Sequence, residues 1–162
     1  MTYALTSPLI GAQKIADTST TQNHQLGTIV RAYDPSYGAG EFIYLKGVAS
    51  TVVGSPVIYN TATFQTTLAP VGTNKAQPVA FAMSANVASQ YGWYQISGNA
   101  IAAKTSGLAL ASNAAVGVLT AGKVAATGSG KEIQGALTVA KSTASTTVQL
   151  VINRPHMQGR IT

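Results

Sequence analysis

The stretch from Gln90 to Ala100 is the feature that most constrains how this chain can fold. It contains the only tryptophan, Trp93, with Tyr91 and Tyr94 beside it, in a chain in which 7% of the residues are aromatic. Aromatic and β-branched residues at this density predict a strand, and Trp93 and Tyr94 then point to opposite faces. Because a tryptophan buries more apolar area than almost any other side chain, we expect the core to form around Trp93.

Short apolar or alternating runs recur along the rest of the chain, separated by turn residues. The clearest alternation runs from Gly40 to Val48. The other runs cover residues 28–33, 57–59, 63–68, 79–83, 116–119, 123–127, 136–139 and 146–153. Strands of this length and spacing predict an all-β fold, a compact sandwich or barrel of short antiparallel strands. A length of 162 residues suits one domain.

The distribution of turn and polar residues divides the chain into three predicted segments. Residues 1–26 form an extended N-terminal arm, interrupted early by Ser7-Pro8 and followed by a polar run at 18–23. Residues 27–154 form the β-domain, and Arg154-Pro155 marks its end. Residues 155–162 form a C-terminal tail.

The arm carries apolar residues without enough apolar neighbours to make a core of its own. These residues are Leu9, Ile10 and Ile15. An arm of this kind either frays or lies along a neighbouring subunit, and we favour the second. Deleting residues 1–20 is then expected to leave the fold intact.

A weak internal repeat relates residues 55–98 to residues 114–153. Val79 aligns with Ile133 and Gln95 with Gln149 at the same spacing, and each is preceded by a hairpin. A true duplication is one interpretation, and the common pattern of successive β-hairpins is the other.

The scarcity of charge indicates a protein that works by contact. Charged residues make up 9% of the chain, against about 25% in ordinary globular domains. Such a composition fits a β-rich protein that buries much of its exterior against copies of itself or a partner. The net charge is +6, and the basic residues are spaced singly, without the patch that is typical of nucleic-acid binders. A dispersed positive charge suits an acidic partner, but it does not select a protein shell over DNA.

The inventory of reactive side chains does not indicate an enzyme. There is no cysteine, and the carboxylates and histidines are few: Asp17, Asp34, Glu41, Glu132, His24 and His156. No pair has metal-ligand spacing, and the segment 127–132 lacks the first glycine and the Ser/Thr of a phosphate-binding loop. We therefore predict no catalytic residue, no metal and no cofactor.

Two binding functions compete with a purely structural role. Tyr91, Trp93 and Tyr94 with Lys104 are a candidate stacking platform for single-stranded nucleic acid, although alternation separates the rings onto two faces. A receptor- or glycan-binding head-fibre or spike domain is the other alternative, and it requires an exposed Trp93. The N-terminal sequence lacks the features of a secretory signal, and no apolar run approaches about 18 residues, so we expect no membrane association and no standard export.

Three segments of the chain resemble the small decoration, or cement, proteins of tailed-bacteriophage heads. The segments are 26–49, 82–98 and 152–155, and the most specific is the YGW-Q-SG pattern at 91–98. The likeness covers most of residues 26–155 and is weakest over 107–130.

The resemblance implies a compact β-domain, often trimeric, that binds the outside of an assembled head and bridges neighbouring major capsid subunits. It implies no catalytic motif, and it places the protein on the virion surface after synthesis in the host cytoplasm. The expected partners are the major capsid protein and further copies of this chain, with no nucleic acid. The candidates for capsid or subunit contacts are Leu9, Ile10, Ile15, Arg31, Arg154 and His156.

Overall fold

The computed structural model of the protein describes residues 2–6, 9, 11–72, 75–128, 131–143 and 145–159. Within these ranges the chain forms twelve antiparallel strands and no helix, which confirms the all-β prediction. The strands are β1 (Ala4–Leu5), β2 (Thr18–Ser19), β3 (Ile29–Asp34), β4 (Gly38–Lys46), β5 (Pro56–Tyr59), β6 (Thr66–Leu68), β7 (Val79–Ala82), β8 (Tyr91–Ala103), β9 (Ala115–Thr120), β10 (Lys123–Ala126), β11 (Glu132–Thr138) and β12 (Thr147–Met157). The described residues form no helix, so no membrane-spanning helix is found among them.

Strand β8 connects the two halves of the fold. It is 13 residues long and pairs with β2, β4, β7 and β12. Trp93 and Tyr94 are both 0% exposed, so β8 is covered on both faces, as the alternation of large side chains predicts. At Gly98 the strand carries a positive φ of 98°, and a Cβ there would collide with the carbonyl of Ala39. Only glycine fits at this point, where β8 leaves β4 and continues along β12.

The same five-strand arrangement occurs twice, and β8 belongs to both copies. In the first unit the pairing order is β4-β8-β7-β5-β6. In the second unit it is β8-β12-β11-β9-β10. The first half of β8 therefore closes one unit, and its second half opens the next.

Equivalent backbone hydrogen bonds also occur in the two units. The N–H of Gly54 donates to the carbonyl of Ala82 at 2.7 Å, and the N–H of Asn113 donates to that of Thr138 at 2.9 Å. Gly54 and Asn113 both have positive φ, 82° and 53°. Glycine and asparagine are the residues that tolerate this conformation best, so the two sequences meet one requirement with different residues.

The structural register of the repeat differs from the register that the sequence suggests. The N–H of Met83 donates to the carbonyl of Trp93 at 3.2 Å, and that of Val139 donates to the carbonyl of Gln149 at 3.0 Å. Gln149 is thus equivalent to Trp93 and not to Gln95. An irregularity in β11 accounts for the difference, since Glu132 and Leu137 are five residues apart on β11 but pair with Gly117 and Ala115, two residues apart on β9.

Each unit curls around its own apolar interior. Isolated parallel bridges, Lys46 to Gln65 and Lys104 to Val124, bring the first strand of each unit against its hairpin. The first interior contains Tyr94, with Ile43, Leu45 and Ile96. The second is built from smaller side chains, among them Ala100, Val118, Leu150 and Ile152. The sheet as a whole is not closed into a barrel and is compatible with a sandwich.

The N-terminal segment covers the outside of the first unit. We call that outside the aromatic wall, and it consists of Phe42, Tyr44, Met83, Trp93 and Gln95. None of these five residues is more than 5% exposed. Strand β1 pairs with β3 and β2 pairs with β8. The expectation of an arm without neighbours in its own chain is therefore corrected: the wall supplies the apolar partners that residues 1–26 lack by themselves.

The C-terminal boundary also lies further along the chain than predicted. Strand β12 continues through Arg154 and Pro155 to Met157, which is fully buried. A bulge opposite Gly135 absorbs this segment, since Gln134 pairs with His156 while the next pair, Ala136 with Ile152, lies four residues back on β12. A proline is tolerated in a strand at a bulge, where no ladder N–H is required. The end of the tail, residues 160–162, lies outside the described residues.

Candidate functional site

The predicted contact residues of the arm are placed inside the protein's own fold. Ile15 is 2% exposed and belongs to the same apolar cluster as Trp93. Leu9 is half-buried against that cluster, and Ile10 lies outside the described residues. Ile15 and the buried part of Leu9 are therefore not available to a partner, because an intramolecular surface already occupies them.

Two other predicted contact residues, Arg31 and Arg154, meet on the surface. Arg31 Nε lies 3.3 Å from Glu41 Oε1, and Arg154 Nη2 lies 2.9 Å from Glu41 Oε2. The arginine side chains are 75% and 61% exposed and that of Glu41 is 20% exposed. Ion pairs this exposed contribute about 0–1 kcal/mol each to stability. Their main consequence is a fixed cluster of charge with a positive excess.

The arginines stand at one end of a continuous outer face. Cross-strand pairs lead from Arg31 to Glu41, then to Ser97 on β8 and Asn153 on β12. Thr6 of the N-terminal segment and Arg154 join them around an open groove of about 590 Å³. We call Arg31, Tyr33, Glu41 and Arg154 the arginine end.

The other end of the outer face is apolar. Leu137 pairs with Val151, and Val151 pairs with Asn99. The Val151–Asn99 pair lies two residues along β12 and β8 from the Asn153–Ser97 pair. Leu137, Val139 and Val151 are 45%, 39% and 47% exposed. The neighbours of Leu137 on β11 and of Val151 on β12 are buried, so these two exposed residues share one face, and Val139 follows two residues after Leu137. We call these three residues, with half-buried Ile101, the apolar end.

Sequence reasoning missed the apolar end. Alternation in β11 and β12 was visible, but Ala136 and Thr138 face inward while the larger Leu137 faces solvent. The usual assignment of the larger apolar side chains to the interior is reversed here. His156, another predicted contact residue, is exposed on β12 two residues beyond Arg154.

Backbone strain marks the arginine end. Arg154 has a φ of 42°, in the left-handed region that residues other than glycine rarely adopt. Such a conformation costs on the order of 1–3 kcal/mol and persists only where its surroundings impose it. Here the bulge opposite Gly135 imposes it and directs Arg154 towards Glu41.

A polar network beneath the N-terminal segment centres on Gln13. The Gln13 carbonyl accepts from Trp93 Nε1 at 2.9 Å, and its side-chain Oε1 accepts from the Tyr44 hydroxyl at 2.9 Å. Its Nε2 donates to the carbonyl of Tyr91 at 3.2 Å, and its backbone N–H donates to Nε2 of His24 at 3.0 Å. Burial lowers the pKa of His24, in agreement with a neutral ring that accepts this bond. The network fixes the segment to the aromatic wall.

The residues proposed for stacking or sugar binding do not form an open platform. Trp93 and Tyr94 are fully buried on opposite faces, and burial raises the pKa of Tyr94 to about 12. Lys104 is 1% exposed, and its ammonium donates to the carbonyls of Leu108 and Thr143. It therefore holds two loops together and does not face a ligand. The glycan alternative required an exposed Trp93, which the structure does not provide.

The carboxylates are dispersed. Asp34 is 3% exposed and accepts from the N–H groups of Ser36 and Tyr37 in a turn. Glu132 lies on β11 opposite Gly117 in the second unit, whereas Glu41 lies between the arginines. In the described part of the chain, no three His, Cys, Asp or Glu residues are grouped so that they could hold a metal ion. Two residues of the phosphate-loop-like segment, Ser129 and Gly130, lie outside the described ranges.

Comparison of the chain with models of known protein families, with curated proteins and with solved structures finds no match.

Proposed function

We propose that this protein is a structural, non-enzymatic head-decoration protein, which binds the outside of a bacteriophage capsid and stabilises contacts between major capsid subunits. The observation that carries the proposal is the outer face, where an exposed apolar end adjoins the positively charged arginine end. Exposed apolar patches bordered by polar groups are typical of protein interaction sites.

The energetics of the outer face support binding more than folding. Its ion pairs are exposed and contribute little to stability. Leu137 and Val151 are nearly half exposed, so much of their apolar area is still available for burial. Complete burial of such a side chain contributes about 1.5–3 kcal/mol. Because about half of each side chain is already buried in the isolated chain, a partner that covers the apolar end gains roughly half of this free energy for each of them.

Charge supports an acidic shell surface as the partner. The net charge of the chain is +6, and within it the arginine end holds two positive groups, Arg31 and Arg154, and one negative group, Glu41. Opposite charge on the partner accelerates the encounter and fixes its orientation. We further propose self-association as a trimer on the head, supported by the resemblance and by the low charge content of 9%.

Cosedimentation with heads assembled without this protein tests the proposal. We expect saturable binding and heads that survive a higher temperature or pressure after the protein is added. Sedimentation velocity of the unbound protein tests the trimer. Absence of binding, or bound protein that leaves the heads no more robust, would refute the cement function.

A further inference from the structure

The two units have equivalent outer walls with different surroundings. Tyr44 pairs with Trp93 in the first unit, and Ile101 pairs with Gln149 at the same place in the second. The matching backbone hydrogen bonds of Trp93 and Gln149 establish this correspondence independently.

The correspondence extends across the wall. Val139 is equivalent to Met83, and the residue two positions beyond Gln149, Val151, is equivalent to Gln95. Met83 and Gln95 are 5% and 0% exposed, but Val139 and Val151 are 39% and 47% exposed. The apolar end is thus the second unit's counterpart of the aromatic wall.

The cover of the aromatic wall is an extended segment. Ile15 packs in its apolar cluster, Tyr3 contacts Phe42 edge-on with ring centroids 4.8 Å apart, and the Gln13 carbonyl accepts from Trp93. The described part of this segment contains two very short strands, β1 and β2. A single extended polypeptide with widely spaced apolar residues is therefore sufficient to cover such a wall.

We propose that the apolar end binds an extended segment of the capsid shell protein, one that carries spaced apolar side chains and an acidic residue beside them. The apolar side chains lie across Leu137, Val139 and Val151, as the N-terminal segment lies across the aromatic wall. The acidic residue reaches the arginine end, which adjoins the apolar end through Asn153 and has more positive than negative charge. This inference rests on the proposed capsid-binding function and specifies its contact.

Single substitutions to glutamate provide the first test. Leu137→Glu and Val151→Glu place a charge on the apolar end, and the matched controls Val52→Glu and Val53→Glu alter residues that are 50% exposed elsewhere. We expect the first pair to weaken binding to heads at least about tenfold, or 1.4 kcal/mol. The controls are expected to bind as the unaltered protein does, and circular dichroism must show that all four fold.

The outcomes separate this inference from the proposed function. If the unaltered protein binds heads and Leu137→Glu and Val151→Glu bind equally well, the inference is overturned and the function stands. If the unaltered protein does not bind heads, both are overturned.

A photo-crosslinking residue at position 151 identifies the occupant. With p-benzoylphenylalanine in place of Val151, we expect crosslinks to one contiguous stretch of the shell protein that includes an acidic residue. Crosslinks scattered over several stretches would overturn the extended segment. Crosslinks between copies of this chain would overturn the shell protein as the occupant and assign the apolar end to self-association.

Discussion

Replacing Ile15 by alanine separates two roles of the N-terminal segment. Ile15 is 2% exposed in the cluster that contains Tyr44 and Trp93. Replacement of a buried isoleucine by alanine costs about 2–5 kcal/mol, and the cost falls where the structure can close onto the cavity. Since Ile15 belongs to an outer layer that can shift inward, we expect about 2–3 kcal/mol. If Ile15 instead contacted a neighbouring subunit, the stability of the isolated chain would not change.

Thermal and urea unfolding measure this difference directly. A chain of this size loses about 2–4 °C in Tm per kcal/mol, so we expect Ile15→Ala to lower the Tm by roughly 5–10 °C. Trp93 is the only tryptophan, and its emission should move to longer wavelength because its cover loosens. Ile29→Ala is the matched control, since Ile29 is 45% exposed, and such surface changes are usually within about 0.5 kcal/mol.

The result that would refute the packing argument is a Tm for Ile15→Ala within about 2 °C of the Ile29→Ala value. An unchanged Tm together with weaker binding to heads would restore the original prediction of an arm that contacts a neighbour.

Three further predictions concern His24, Lys104 and Arg154. Burial lowers the pKa of His24, so its contribution to stability is present above pH of about 6.5 and is lost as the pH falls through the folded-state pKa. Chemical unfolding against pH should show this loss, and His24→Gln should reduce it; a pH profile of His24→Gln identical to that of the unaltered protein would contradict the assignment. Lys104→Met removes the ammonium that donates to two loop carbonyls and should lower the free energy of unfolding by about 1–3 kcal/mol. An unchanged urea midpoint would show that Lys104 does not hold the two loops together. Arg154→Gln should change the free energy of unfolding by no more than about 1 kcal/mol. It should weaken binding to heads, and reduce the salt dependence of that binding, more than the exposed control Lys123→Gln does. If the two variants bind with the same salt dependence, Arg154 is not part of the contact.

Local pattern was sufficient for the fold class and for the central strand. The aromatic density around Trp93 predicts a strand that is covered on both faces, and alternation predicts the separation of Trp93 from Tyr94. These features depend on residues close together in sequence. The course of the N-terminal segment depends on distant ones, such as the bond from the Tyr3 hydroxyl to the carbonyl of Asn99. Leu9 and Ile15 appeared isolated because most of their apolar partners lie on β3, β4 and β8.

Bulges limited what the sequence could predict about the second unit. One extra residue at a bulge reverses which side chains face inward in the rest of a strand. Gly98 and Gly135 mark such places through positive φ, at 98° and 79°. Glycine also occurs in turns, so composition alone does not distinguish the two uses. The sequence aligned Gln95 with Gln149, two residues from its structural equivalent Val151.

The contrast between Trp93 and Gln149 links the repeat to function. The two residues occupy the same place in equivalent units, and one is fully buried while the other is half-buried. A wall with a permanent intramolecular cover gains from the largest apolar side chain, because the burial occurs in every folded molecule. A wall that is uncovered before binding must keep the free chain soluble, which favours glutamine and moderate residues such as Val151. The aromatic pattern at 91–98 therefore identifies the half of the protein that the chain covers itself, and the partner is expected on the other half.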